Sequence, residues 1–197
     1  MAYSSSEGKG LFRDWLYHFA CDQKYRKFLD VGCGAGLYAD IILDVFKGVP
    51  LRQLTEFSGA LVRDAVEVFP EYIARHNLTE KYDRIFIQDI RKTWQGLDDD
   101  YDVIICGDVL EHLTKDEAIA VIDGLKKKCR FIWCSLPIKY GRPWSHGYDQ
   151  GEHEWEENPY NKHLHDWTAA EIAGYIGPLW MVPFPCVGVF LVEGRIR

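Results

Sequence analysis

No Cys-x-x-Cys pair occurs among the six cysteines at positions 21, 33, 106, 129, 134 and 186 of this 197-residue chain. A cysteine-built zinc site is thereby excluded from the expectations. Most of the cysteines stand inside apolar, strand-like runs such as Val103-Ile-Ile-Cys106 and Phe131-Ile-Trp-Cys134. That is the placement of reduced, buried thiols in a cytoplasmic protein rather than of a disulfide framework. No apolar run approaches the roughly 18 residues of a membrane helix. The first ten residues lack the basic and apolar regions of a signal peptide. Repeats, low-complexity tracts and linkers are missing as well. Basic residues are the minority, 23 against 30 acidic, and the net charge of −7 repels phosphate backbones. Broad nucleic-acid binding is disfavoured, although a local basic patch would still hold a short strand or a nucleotide.

Apolar mass is what the chain has. Ten Phe, eleven Tyr and seven Trp within a 47% hydrophobic composition are enough to build one full core. Residues 1–197 read as a single domain, with 1–26 an N-terminal helical cap. Strand-length runs alternate with helical periods: a helix over 11–21, a strand over 27–31, a helix over 37–46, a second strand over 51–57, and a helix capped by Ser58 with apolar positions 61, 62, 65, 66 and 69. Further strands are expected at 84–87, 103–106 and 131–136. Thr114-x-x-Glu117 opens a helix as a capping box, and Thr168-x-x-Glu171 opens the last helix. The alternation implies an α/β fold with a mostly parallel sheet and helices on both faces. Residues 179–184 and 187–194 lie too close together for a crossover, so they form a C-terminal antiparallel hairpin. Residues 137–167 interrupt the pattern with a dense aromatic, histidine and acidic insert, a candidate substrate lid.

The sharpest motif is Phe28-Leu-Asp-Val-Gly-Cys-Gly-Ala-Gly36, a buried strand entering three alternate glycines ahead of a helix. Glycine there permits tight turning and exposes helix N-terminal amides to a ligand. Gly-x-Gly-x-Gly preceded by Asp resembles the class I S-adenosylmethionine (SAM)-dependent methyltransferases, as does Tyr101-Asp-Val-Ile-Ile-Cys-Gly-Asp-Val-Leu-Glu-His-Leu113. The resemblance is close over 27–136 and looser beyond. It implies a Rossmann-like seven-stranded sheet and SAM as cofactor. By the same resemblance, Asp30, Gly32, Gly34 and Gly36 frame the methionine end. Glu56, 26 residues beyond Asp30, holds the ribose. Asp89 takes the adenine amino group, Phe57 and Ile90 flank the base, and Gly107 and Asp108 line the sulfonium.

Hydroxyl acceptors need a base or a cation to lower their pKa. If the chain is helical after residue 107, Asp108, Glu111 and His112 share one face, a half-site for Mg²⁺ or Mn²⁺. The acidic-x-x-Glu-His pattern resembles ubiquinone-biosynthesis catechol O-methyltransferases and small-RNA 3′-terminal 2′-O-methyltransferases. His163 or, alternatively, His165 supplies the fourth ligand. The leading expectation is O-methylation of a small hydroxylated acceptor (a sugar, phenol or nucleotide-linked metabolite), with His112, Glu111 and Asp108 catalytic. RNA 2′-O-methylation is the alternative, and a non-catalytic SAM-binding protein the second.

Overall fold

β1 (Lys27–Val31) forms where Phe28, Leu29 and Val31 flank Asp30, and the glycine run behind it ends the strand. The computed structural model describes residues 6–20, 25–48, 60–98, 100–138 and 158–196. Within them, β2 (Val62–Glu67), β3 (Arg84–Ile87), β4 (Tyr101–Gly107), β5 (Cys129–Pro137), β6 (Trp180–Pro183) and β7 (Val187–Glu193) join β1 in one seven-stranded sheet. Its order is β3-β2-β1-β4-β5-β7-β6. The first five strands run parallel, and β7 pairs antiparallel with both β5 and β6. The expected C-terminal hairpin is therefore present, and so is the Rossmann-like fold.

Side chains alternate between the two faces of the sheet. Phe28, Ile105, Trp133, Val189 and Leu191 pack under α1 (Ser6–Trp15) and α2 (Leu37–Gly48). Leu29, Ile104, Ile132, Cys134 and Phe190 pack under α6 (Lys115–Leu125) and α7 (Ala169–Ile176). Shorter helices α3 (Glu71–Arg75), α4 (Leu78–Lys81) and α5 (Ile90–Thr93) bracket β3. Thr114 makes the full capping box with Glu117, and Thr168 accepts a hydrogen bond from the Glu171 amide. No helix among the described residues is long and apolar enough to cross a membrane.

Two local expectations are corrected. Residues 62–67 are a strand, not part of the helix expected between Ser58 and Pro70. The run expected as the second strand, 51–57, lies outside the described residues, together with Glu56, Phe57 and Ser58. Apolar positions 61, 62, 65 and 66 satisfy either period. Parallel pairing to β1 on one side and β3 on the other decides for a strand by using its backbone donors and acceptors. The leading helix also starts earlier, at Ser6, and continues as a π-helical turn over Leu16–Ala20. Far from being only a cap, it inserts Phe12 and Leu16, both fully buried, into the core.

β2 also carries a salt-bridged network that its helical reading hid. The Asp64 side chain is fully buried, accepts from Arg84 Nε at 3.1 Å and from the Tyr101 hydroxyl at 2.8 Å, and is forked by the Arg84 guanidinium. Arg84→Met is expected to destabilise the protein by about 2 kcal/mol. That is below the ~3–5 kcal/mol of a fully buried pair, because the Arg84 side chain is 46% exposed. Denaturant midpoints measure it, and an additional Asp64→Asn change should recover part of the loss.

Candidate active site

The sheet changes direction between β1 and β4, and in open α/β sheets ligands bind beyond the carboxyl ends of the strands at such a point. The glycine loop occupies it. Gly32, Gly34 and Gly36 all have positive φ (65°, 51° and 72°), a backbone that side chains disfavour. A Cβ on Gly32 would also lie 2.7 Å from Val109 Cγ2, so the loop needs glycine to pass the turn after β4. Gly107 is constrained likewise, since a Cβ there would lie 2.3 Å from the Tyr38 ring.

Glu67, at the end of β2, ties this loop down. Its buried carboxylate accepts from the Gly34 amide at 3.0 Å and from the Phe69 amide at 2.8 Å. Asp30 is buried at the end of β1 and accepts from the Tyr82 hydroxyl. Burial raises its pKa to about 7, and nearby Glu67 adds to the rise, while the Tyr82 bond opposes it.

An open cleft continues from the loop, lined by Gly32, Val66, Gln88, Asp89, Ile90, His112 and Tyr160. Asp89 caps α5 through the Arg91 amide and is clasped by the Arg91 guanidinium. Burial pushes the Asp89 pKa up, but the Arg91 hydrogen bonds outweigh it and hold the carboxyl below its ordinary value. Ile90 is buried on the cleft wall.

The far side of the site is the 3₁₀ turn Leu110–His112, onto which residues 158–168 dock. The Leu164 amide donates to the Glu111 carbonyl at 2.8 Å, and Trp167 Nε1 approaches the Leu110 carbonyl at 3.4 Å. Asn161 reaches across to the Tyr72 hydroxyl at 3.3 Å, so the segment spans the cleft. This docking brings His163 to His112, with ring centroids 5.0 Å apart. Ligand-type atoms of Glu111, His112 and His163 all lie within 4.8 Å of one another. Glu111 is 2% exposed, and its Oε2 finds no hydrogen-bond partner among the described residues. Burial, then the Asp108 charge, drives the Glu111 pKa up. Burial, then His163, lowers the His112 pKa to about 4, so this imidazole is neutral at neutral pH.

Asp108 does not share a helical face with Glu111 and His112. The 3₁₀ turn starts only at Leu110, and Asp108 precedes it in a left-handed conformation with φ 56°. It stands outside the three-residue cluster, though its charge is felt by Glu111. His165 turns away to Glu171, 3.2 Å from its carboxylate, and stacks edge-on with Trp167. Of the two alternatives, His163 is the one beside His112.

Residues 29–130 match the family described as methyltransferase domain. The chain belongs to this family. Its fold is shared with the N-terminal domain of EvdMO1, solved with SAH bound: 15% identity, TM-score 0.60, covering 98% of this chain and 83% of that one. It is shared also with an O-methyltransferase family protein from Burkholderia thailandensis, at 14% identity and TM-score 0.63, where 94% of this chain spans only 56% of that one. Magnesium protoporphyrin IX methyltransferase from Synechocystis PCC 6803, with bound SAM, is similar at 16% identity and TM-score 0.56, covering 95% and 80%. No curated protein matches the chain by sequence. At these identities the likeness to solved structures is one of fold, that of class I SAM-dependent methyltransferases.

Glu67, at the end of β2 and bonded to the glycine loop, is an acid that the spacing from Asp30 did not single out, and Glu56 lies outside the described residues. A signal was present: Glu67 follows Ala65-Val66 and precedes Val68-Phe69-Pro70, a strand ending at a turn.

Asp30 makes the stability of the ligand-free methyltransferase depend on pH. Its folded pKa, about 7, is above the ordinary 3.8, so its favourable contribution is full below pH 4 and is lost as pH rises through 7. Asp30→Asn should therefore raise the melting temperature relative to wild type more at pH 8 than at pH 5. A pH-independent difference in thermal melts would contradict this.

Proposed function

We propose that this methyltransferase transfers the methyl group of SAM to a hydroxyl of a small acceptor, assisted by a divalent cation. The observation that carries the reading is the buried, unpartnered Glu111 Oε2 beside the two imidazoles of His112 and His163. Of Mg²⁺ and Mn²⁺, Mn²⁺ better suits a carboxylate with two imidazoles, since it takes nitrogen as well as oxygen ligands, and the buried Glu111 oxygen would otherwise be left unsatisfied. Bound there, the cation would supply the lowering of the acceptor hydroxyl pKa that makes it a nucleophile near neutral pH.

The chain's own groups do the rest. Glu67 offers a carboxylate at the end of β2 for the paired hydroxyls of a ribose, which would share it with the Gly34, Phe69 and Val68 amides and the Cys33 thiol. Asp89, Ile90 and Gln88 form the wall for the base. Asp30 and the loop amides of Gly32–Gly36 face the methionine end, where SAM supplies the electrophilic methyl. Tyr160, on the segment that spans the cleft, borders both parts and helps to exclude water. His112, neutral and half-buried, is available as a ligand or as a proton acceptor.

A second reading, a ribose 2′-hydroxyl at an RNA end, is favoured by one observation: His163, whose place four residues before Trp167 resembles that in the small-RNA methyltransferases, joins Glu111 and His112, and His165 does not. The net charge of −7 opposes it. Lys139 and Arg142, two of the three nearby basic residues, lie outside the described residues, and Lys162 is the third.

Calorimetric titration of Mn²⁺ into chelator-treated protein saturated with S-adenosylhomocysteine (SAH) tests the cation. One equivalent is expected to bind, with binding lost in His112→Ala and in His163→Ala but kept in His165→Ala. Absence of binding to wild type overturns the cation and leaves His112 as a base. Labelled SAM offered with catechols, sugars, nucleotides and a short RNA then separates the two acceptor classes.

A further inference from the structure

The segment that spans the cleft is shaped around Asn161. Buried Asn158 opens its 3₁₀ turn (Pro159–Asn161), its side-chain oxygen accepting from the Tyr160 amide at 3.0 Å. The Asn158 side-chain amide donates to Asn161 Oδ1 at 3.2 Å, and the Asn161 backbone amide donates to the Asn158 carbonyl at 3.1 Å. Asn161 Nδ2 then donates to the Tyr72 hydroxyl on α3 at 3.3 Å. Tyr72 in turn packs edge-on against Phe69, with ring centroids 4.9 Å apart, and the Phe69 amide is held by Glu67. The turn is thereby tied to the corner that holds the glycine loop. Its exit meets the other side of the site. His112 Nδ1 stands 3.3 Å from the carbonyl of Lys162, the first residue past the turn, and the Asn161 carbonyl acts on the same ring.

A carbonyl oxygen has no proton to give, so this contact is a hydrogen bond only when Nδ1 carries the hydrogen. In a neutral imidazole Nε2 is then bare. We infer that Asn161 is a positioning residue for His112: the turn it closes presents the Lys162 carbonyl to Nδ1, which leaves Nε2 as the atom that meets the cation or takes the acceptor's proton. The inference rests on the reading of His112 as ligand or base. It serves both, because each needs one bare nitrogen held in one direction. An imidazole free in water prefers the opposite tautomer, with the hydrogen on Nε2, and would offer a donor where the reaction needs a lone pair. The same segment holds the turn that carries the ring, since the Leu164 amide donates to the Glu111 carbonyl at 2.8 Å. A continuous route of contacts therefore runs from Glu67 through Phe69, Tyr72, Asn161 and Lys162 to His112. It makes the direction of Nε2 depend on the corner that holds the glycine loop.

Two-bond ¹H–¹⁵N spectra of protein labelled in its imidazoles report the tautomer directly, because a bare ring nitrogen resonates far downfield of a protonated one. They are taken at pH 8 on chelator-treated protein saturated with SAH, with His112→Ala identifying the His112 signals. Wild type is expected to show the Nδ1–H form. Asn161→Ala and, to a smaller extent, Tyr72→Phe should shift it toward the Nε2–H form. Lys162→Ala, which keeps the carbonyl, should leave the tautomer unchanged. Mn²⁺ affinity should fall about 10-fold in Asn161→Ala, the scale of a lost orienting contact. In Tyr72→Phe the fall should be no more than about 5-fold, that of one neutral hydrogen bond. An Nε2–H tautomer in wild type overturns the inference, as does a tautomer that neither variant moves. Should thermal melts show that Asn161→Ala does not fold, Tyr72→Phe alone decides. If the tautomers follow expectation and wild type binds no Mn²⁺, the cation reading fails while Nε2 stands as the base, which is a distinguishable result.

Discussion

The Glu67 carboxylate, bridging the amides of Gly34 and Phe69, is the interaction on which the site depends. A loop of three glycines in left-handed conformations has little of its own to hold it in shape. Its amides must be partnered, and a buried acid at the end of the neighbouring strand does this. The loop, the end of β1 and the end of β2 thus become one rigid corner. Val109 packs against Gly32 from the β4 side and closes it.

Charge is concentrated where the sheet reverses direction. Asp30 and Glu111 are buried with carboxyl pKa values raised first by desolvation. Such acids are unfavourable in an empty site and become favourable beside a cationic ligand, the usual exchange of stability for function. SAM, with a sulfonium and an ammonium, suits the loop end, and a divalent cation suits Glu111 with its two histidines. The two ends are electrostatically alike but chemically distinct: carboxylates and amides at one, imidazoles at the other.

The acceptor side depends on tertiary docking. His163 is 51 residues from His112 in sequence, yet it meets His112 because Leu164 and Trp167 anchor their segment on the 3₁₀ turn. The same segment crosses to Tyr72 and places Tyr160 on the cleft. One strap therefore builds part of the candidate cation site and part of the cleft wall.

Much of this was determined locally. The glycine motif, β1, the capping box at Thr114, the N-cap at Thr168 and the terminal hairpin are short-range patterns of turn chemistry, caps and spacing, and sequence alone specified them. Residues 62–67 were different, because their apolar spacing fits helix and strand alike, and only pairing between β1 and β3 resolves it. Glu67 became visible as the loop's partner through that strand. The relation of Asp108 to Glu111 likewise turned on a backbone dihedral that residue spacing does not encode. The choice of His163 over His165 was made by which imidazole faces His112 once Leu164 is bonded to Glu111. Local chemistry set the elements and the methyltransferase fold, whereas contacts between distant segments decided which acids and histidines share a site, since those depend on packing that no single stretch of sequence contains.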